Sequence, residues 1–254
     1  MFGGIYGSAR RRAREDGEKP FWISFSDLMT ALMVLLLVAM SVALLAVTKK
    51  VSEAEREDQE RREAIAELMD KIRQVVTAKE FEGIRVIGNT IDFGPRGLFG
   101  NGQNTLSASQ LALLRKFTPQ LLDQLRTSEA GQKWFKRAVV EGYASQSGKY
   151  LFNLNLSLER SERVLCELLR QPANGTLPLS DADRKLIATK FFVGGASFNS
   201  LRATADDSRR IEFKIEFKTR QERYEELRRP PPPLDQAALE QALDLNERCP
   251  LLDR

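Results

Sequence analysis

Histidine is missing from all 254 residues, and the gap removes several chemistries at once. Ser-His-Asp and Cys-His nucleophiles, imidazole metal ligands and histidine pH switches all need a side chain this sequence lacks. Cysteine is scarce: the two in the chain, Cys166 and Cys249, have no C-x-x-C spacing for a thiolate metal site or a redox pair. They are available for one disulfide, or stay reduced. The glycines at 94–102 and the pair Gly194-Gly195 lack the spacing and the Lys-Ser/Thr of a phosphate loop. No catalytic residue, metal or cofactor is therefore expected, and the chain reads as a non-enzymatic protein. A strong charge of one sign is lacking too. The 39 Lys+Arg and 35 Asp+Glu leave +4, and only Arg10, Arg11, Arg12 and Arg14 cluster, so no nucleic-acid partner is expected.

What the sequence does have is one long stretch without charge. FWISFSDLMTALMVLLLVAMSVALLAV, residues 21–47, holds a single charged side chain, Asp27, and residues 28–47 are 20 uncharged positions in succession. About 20 apolar residues, rising ~1.5 Å each, cross a ~30 Å hydrocarbon core. The apolar part of a cleaved signal peptide is roughly 7–15 residues, so an uncleaved transmembrane helix is expected. Five Lys/Arg lie in residues 1–20 and five more between Lys49 and Arg62, so charge counting does not orient the helix. A short basic tail before a large C-terminal region favours the tail in the cytoplasm and the remainder outside. Asp27 is the sharpest feature, because a carboxylate at the bilayer centre costs roughly 2.5–3.5 kcal/mol. Either it lies near the interface and reaches water, or it is a protonatable group facing a protein or water pathway. Ser24, Ser26 and Thr30 are placed to line the same side.

Residues 48–80 read as a helical linker. Positions 52–63 are charged almost throughout; then Ile65, Leu68, Met69, Ile72, Val75 and Val76 recur at helical spacing. That stripe needs a partner, in the next domain or in a second copy of the chain. From 81 to 220 the pattern is globular. Strands are expected over 83–93 around a Gly88-Asn89 turn, then a helix from Ser107 with Leu111, Leu114, Leu121, Leu122 and Leu125 on one face. Pro119 marks a kink or a second start in it. A strand over 135–143, a loop over 144–150, a helix over 155–169 and strands at 191–193 and 210–217 follow. IEFKIEF in the last strand alternates with period two, which buries one face. Residues 221–254 hold a charged stretch, a stiff proline run at 230–233 and a short tail with Leu239, Leu243 and Leu245. The expected fold class is a membrane-anchored α+β protein: tail 1–20, transmembrane helix 21–47, helical linker 48–80, an α/β sandwich domain over 81–220, and a proline-containing tail over 221–254.

Two groups of motifs resemble known families. Phe21, Trp22, Asp27, Met29, Thr30 and Ala31, leading into the apolar run, resemble the transmembrane signature of MotB-type stator subunits. The resemblance implies a homodimer of these helices inside a ring of five MotA-like multi-pass membrane subunits, with an aspartate carrying the translocated ion. That role falls on Asp27, supported by Thr30 and Ser26, with Trp22 as interface anchor. Further on, Val140-Glu141-Gly142-Tyr143-Ala144-Ser145, Asn153, Leu156-Ser157-Leu158-Glu159-Arg160-Ser161 and Arg209-Arg210-Ile211-Glu212 together resemble the OmpA-like peptidoglycan-binding domain. This implies a peptidoglycan site made of Tyr143, Ser145, Phe152, Asn153, Leu156 and Arg160. Arg160 would hold a carboxylate of the peptide stem through its guanidinium fork. Ser145 stands where that family carries an aspartate for the stem's amine, so the two-signed clamp is half missing. Arg160 has a second reading, as a structural ion pair near Glu141 or Glu162.

With the GYAS turn and the NLNLS stretch included, the chain is most similar to the B subunits of Zorya anti-phage defence systems. That implies an ion-conducting motor subunit, most simply proton-driven, anchored to the cell wall in the bacterial inner membrane. Cytosolic defence effectors would be indirect partners. A flagellar MotB-type stator and a passive OmpA-like envelope tether are the alternatives. A periplasmic domain would allow a Cys166–Cys249 disulfide to persist; otherwise Cys166 is a core thiol within its helix.

Overall fold

The computed structural model describes residues 19–172 and 178–251. The basic cluster at 10–14 lies outside them. The chain divides into two compact units, Met1–Glu57 and Asp58–Arg254. The second unit thus begins inside the segment expected as linker.

The described part of the first unit is the beginning of α1 (Lys19–Val76). This helix is long and apolar enough to cross a membrane. Pro20 falls in its first turn, where a missing N–H breaks no helical bond. Three hydroxyls along it bond backwards, Thr30 to the Ser26 carbonyl at 2.7 Å, Ser41 to Leu37 at 2.8 Å and Thr48 to Leu44 at 2.9 Å. These three hydroxyls are thereby satisfied inside the helix, as an apolar surrounding demands.

In the second unit the last turns of α1 bury Leu68, Met69 and Ile72 in the same core as Phe93, Phe117 and Phe213. The apolar stripe at 65–76 therefore finds its partner in its own chain. β1 (Arg85–Ile87) and β2 (Thr90–Asp92) form the expected hairpin, with Gly88 at φ 57° supplying the turn. α2 (Ala108–Thr127) starts on a capping box between Ser107 and Gln110. It continues as one helix through Pro119, with buried Leu113, Leu114 and Phe117 before the proline and Leu121, Leu122 and Leu125 after it. Packing on both sides of the proline outweighs its helix-breaking tendency, so no second start forms.

α3 (Glu129–Trp134) leads into β3 (Phe135–Gly142). Next come α4 (Tyr150–Leu169) and α5 (Asp181–Lys190), β4 (Phe191–Gly195), α6 (Ala205–Ser208), β5 (Ile211–Phe217), α7 (Arg220–Arg228) and α8 (Gln236–Ala242). The five strands make one sheet in the order β1-β2-β5-β3-β4. β3 and β4 are parallel and joined through α4 and α5; the other pairs are antiparallel. β5 is the central strand. Its Ile211, Phe213 and Ile215 point into the core with Ala138 and Val140 of β3, as period two requires.

The chain end returns to this domain. Cys166 of α4 and Cys249 are joined in a disulfide with Cα atoms 5.8 Å apart and a separation of 83 positions in sequence. The Gln171 N–H donates to the Leu245 carbonyl at 2.7 Å, and Arg184 of α5 donates to the Leu243 carbonyl. The tail's leucines 239, 243 and 245 are only half-buried. Its attachment is covalent and polar more than apolar. At the C-terminal end of β5, where the Lys218 N–H donates to the Trp134 carbonyl, the buried Trp134 ring lies within 5.7 Å of Arg61 from α1, 5.3 Å of Lys133 and 5.2 Å of Arg223 from α7.

Candidate functional site

Two places gather the residues singled out by sequence, one in each unit. On α1, Asp27, Thr30, Ala31, Val34, Leu35, Val38 and Ala39 share one helix face. The spacing i, i+3, i+4, i+7 produces this stripe from helix geometry alone. A single carboxylate heads an otherwise apolar and small-residue face. Ser26 is one residue off it, and its carbonyl receives the Thr30 hydroxyl, so that hydroxyl is committed to its own helix.

In the second unit the motif residues converge where β3, β4 and the start of α4 meet. α4 begins at Tyr150 rather than at 155, which brings Phe152 and Asn153 into its first turn. The approach of α4 to the sheet needs two glycines. A side-chain carbon on Gly142 would run into the backbone of Ser157, and one on Gly195 would lie 2.8 Å from the Leu158 nitrogen. Both strand ends therefore carry the residue that lets a helix backbone settle directly on them.

Between β3 and α4 the loop 144–149 is stitched from within. Ser145 and Ser147 share a hydroxyl hydrogen bond at 2.8 Å. The Asn153 amide donates to the Ser147 carbonyl at 2.9 Å, beside Gly148 with φ 97°. Tyr143, Ser145, Asn153 and Leu156 are all buried. Of the six sequence-nominated residues only Phe152 faces outward, at 47% exposure. The loop's exposed surface is instead made by residues 146–152.

Arg160 has 0% exposure. Its Nε donates to the Gln103 carbonyl at 2.9 Å, Nη1 to Tyr143 at 2.6 Å and Nη2 to Gly100 at 3.0 Å. Its guanidinium carbon also lies 5.0 Å from the Phe99 ring centroid. Burial, with the charge of Arg209 nearby, lowers its pKa to about 10. The expected fork for a stem carboxylate is here aimed at three carbonyls of its own chain. The structural alternative also takes another form than the expected pair with Glu141 or Glu162, because backbone oxygens and not carboxylates receive the guanidinium.

Beside Tyr143 lies an ionic ladder that motif reasoning touched only at one end. Glu141, Glu212 and Asp92 stand in register across β3, β5 and β2. Three like charges in a row repel one another, and four cations offset them. Arg85 and Arg202 each reach Asp92 at 2.8 Å. Arg202 reaches Glu212 at 2.8 Å, Arg210 reaches it at 2.7 Å, and Lys214 pairs with Glu141. The Tyr143 hydroxyl donates to Glu141 at 2.6 Å, while its ring lies 3.9 Å from the Arg210 guanidinium carbon. Burial, followed by that hydrogen bond, pushes the phenol well above its ordinary range. Arg210 was legible in the Arg-Arg-Ile-Glu motif. Arg202 was not, since nothing local marks it.

No family model matches the chain. Zorya protein ZorB of Escherichia coli O139:H28 (strain E24377A / ETEC) is 37% identical over 237 residues, covering 91% of this chain and 95% of that protein. The chain belongs to the ZorB family. Among solved structures it is similar to the periplasmic domain of Helicobacter pylori MotB, with 12% identity, coverage of 61% of this chain and 94% of that one, and a TM-score of 0.39. It is also similar to the OmpA-like domain of FopA1 from Francisella tularensis subsp. tularensis SCHU S4, with 17% identity, coverage of 54% and 82%, and a TM-score of 0.33.

Proposed function

We propose that this chain is the stator-type, proton-conducting subunit of a Zorya anti-phage motor in the bacterial inner membrane. Two copies of α1 stand inside a ring of five MotA-like subunits, and Asp27 takes up and releases the proton that turns the ring. The observation that carries this reading is the lone carboxylate on an otherwise apolar helix face in a chain of the ZorB family. A carboxylate costs free energy in a membrane and is usually kept there for a task.

The second unit sits in the periplasm and grips peptidoglycan through the exposed surface of residues 146–152. Cys166 and Cys249 support that side of the membrane, since a disulfide persists in an oxidising compartment. The loop's internal hydrogen bonds support a formed recognition surface, with Phe152 and the backbone of 146–149 as its contacts. Anchorage has a mechanical reason: a ring turning around an untethered dimer would carry the dimer with it. Cytosolic effectors receive the motor's output through the ring, without touching this chain.

Asp27→Asn tests the central claim, because it keeps size and polarity and abolishes titration. With the ring partner co-expressed, proton flux and protection against phage should both fall to background. Full protection by Asp27→Asn would leave only a passive envelope tether.

A further inference from the structure

Ser197 is the one non-glycine residue with positive φ among the described residues, at 51°. It is fully buried and follows the end of β4, where the loop 144–149 and α4 meet. Its N–H donates to the Ser157 hydroxyl at 3.0 Å. Its carbonyl accepts from the Ala144 N–H at 2.7 Å. Its hydroxyl reaches the Tyr150 carbonyl at 3.4 Å, a longer and weaker contact. One residue thus holds the chain as it leaves β3, as it enters α4, and about two turns further along α4.

An L-residue resists the left-handed region through its side chain, and glycine does not. Such conformations persist only where surrounding contacts enforce them, and they gather at functional segments. Here the two backbone hydrogen bonds depend on the left-handed turn, because it directs the Ser197 N–H to α4 while its carbonyl faces Ala144. The hydroxyl adds the third, weaker tie.

We propose that Ser197 is a positioning residue for the loop 144–149, fixing the shape in which the loop meets the wall; this rests on the wall-binding reading given above. Ser197 touches no ligand. It acts through Ala144, Tyr150 and Ser157.

The test uses the full chain in detergent, with hydrogen exchange as one readout and co-sedimentation with purified peptidoglycan sacculi as the other. Ser197→Val opposes positive φ with a branched side chain and should speed exchange of the amides at 144–153 at least tenfold. The β5 amides should stay protected, and sedimented protein should fall at least fivefold. Ser197→Gly keeps the backbone turn and should restore both readouts to within about twofold of the parent. If the valine variant does not fold, Ser197→Ala carries the comparison and should exchange faster than glycine over 144–153. Unchanged loop exchange in the valine variant, or equal exchange in alanine and glycine, would overturn the proposal. A parent chain that does not sediment with sacculi would overturn the wall reading alone, since exchange still judges Ser197.

Discussion

The Arg160 guanidinium donates to the Tyr143 carbonyl across 2.6 Å, linking the middle of α4 to the residue just before the loop 144–149. Two further carbonyls, of Gly100 and Gln103, share the same side chain. Arg160→Ala takes the guanidinium from three carbonyls, of which that of Gly100 still accepts from the Gln103 N–H at 3.2 Å; a buried group left unpaired costs about 1–3 kcal/mol, and the emptied site of a fully buried side chain adds to the loss. A loss of roughly 3–5 kcal/mol in denaturant unfolding is expected. Arg160→Lys should recover little of it, because one ammonium cannot replace a planar fork reaching three oxygens. A residue that only bound ligand would leave unfolding unchanged.

Gly142→Ala should destabilise more than an ordinary glycine-to-alanine change in a strand. The new carbon meets the backbone of Ser157, which cannot move without lifting α4. A loss of ~2–4 kcal/mol, in the range of overpacking and backbone strain, should appear as a lower denaturation midpoint. Gly88→Ala has open space around it and should cost about 1 kcal/mol through its positive φ alone.

Asp92 predicts an acid limb. Burial pushes its carboxyl up, but hydrogen bonds from Arg202, the Gly94 N–H and Arg85 outweigh burial and hold it below 3.8. Its folded-state value is the lower one, so its contribution is fully present above the unfolded value and disappears as pH falls through the folded value. Urea unfolding from pH 7 down to about 2.5 should show stability declining below about pH 4. Asp92→Asn should be less stable at pH 7, with a flatter decline and a gap to the parent that narrows in acid.

Reduction of the Cys166–Cys249 bond should loosen the tail before the sheet. Closing 83 residues constrains the unfolded chain by up to about 4.5 kcal/mol in the loop-entropy picture. Cys249→Ser should lower the unfolding midpoint in non-reducing buffer and remove the effect of dithiothreitol. Amides of α8 should exchange sooner, with those of β3 and β5 following only at global unfolding. Identical midpoints with and without reductant in the parent would show that the bond contributes nothing.

Much of the architecture was legible because local signals agreed with tertiary packing. Ser107 announced the start of α2, IEFKIEF announced a half-buried strand, and the charge-free run after Asp27 announced the first helix. The misses have a common physical origin. The sequence starts the helix only at 155, and Gly142 and Gly195, from distant strands, let α4 descend and begin at Tyr150. α5 carries too few apolar residues to show a helical stripe, and it gains its place from contacts with the sheet and the returning tail. Arg160 sits in a motif that suggests ligand contact, yet its three partners come from segments 17 to 60 residues away. Ser197 was invisible for a different reason, because the usual flag for a left-handed turn is glycine and serine raises none.

The sheet order also sets a timetable. β5 lies between β2 and β3, and the hairpin of β1 and β2 hydrogen-bonds to the remainder of the sheet only through it. Until residue 217 has emerged, a growing chain holds two half-sheets that share no ladder. The late arrival of the middle strand ties closure of the sheet to completion of nearly the whole polypeptide. A nascent chain interrupted before residue 211 would therefore present two open strand edges to its neighbours instead of a smaller finished domain.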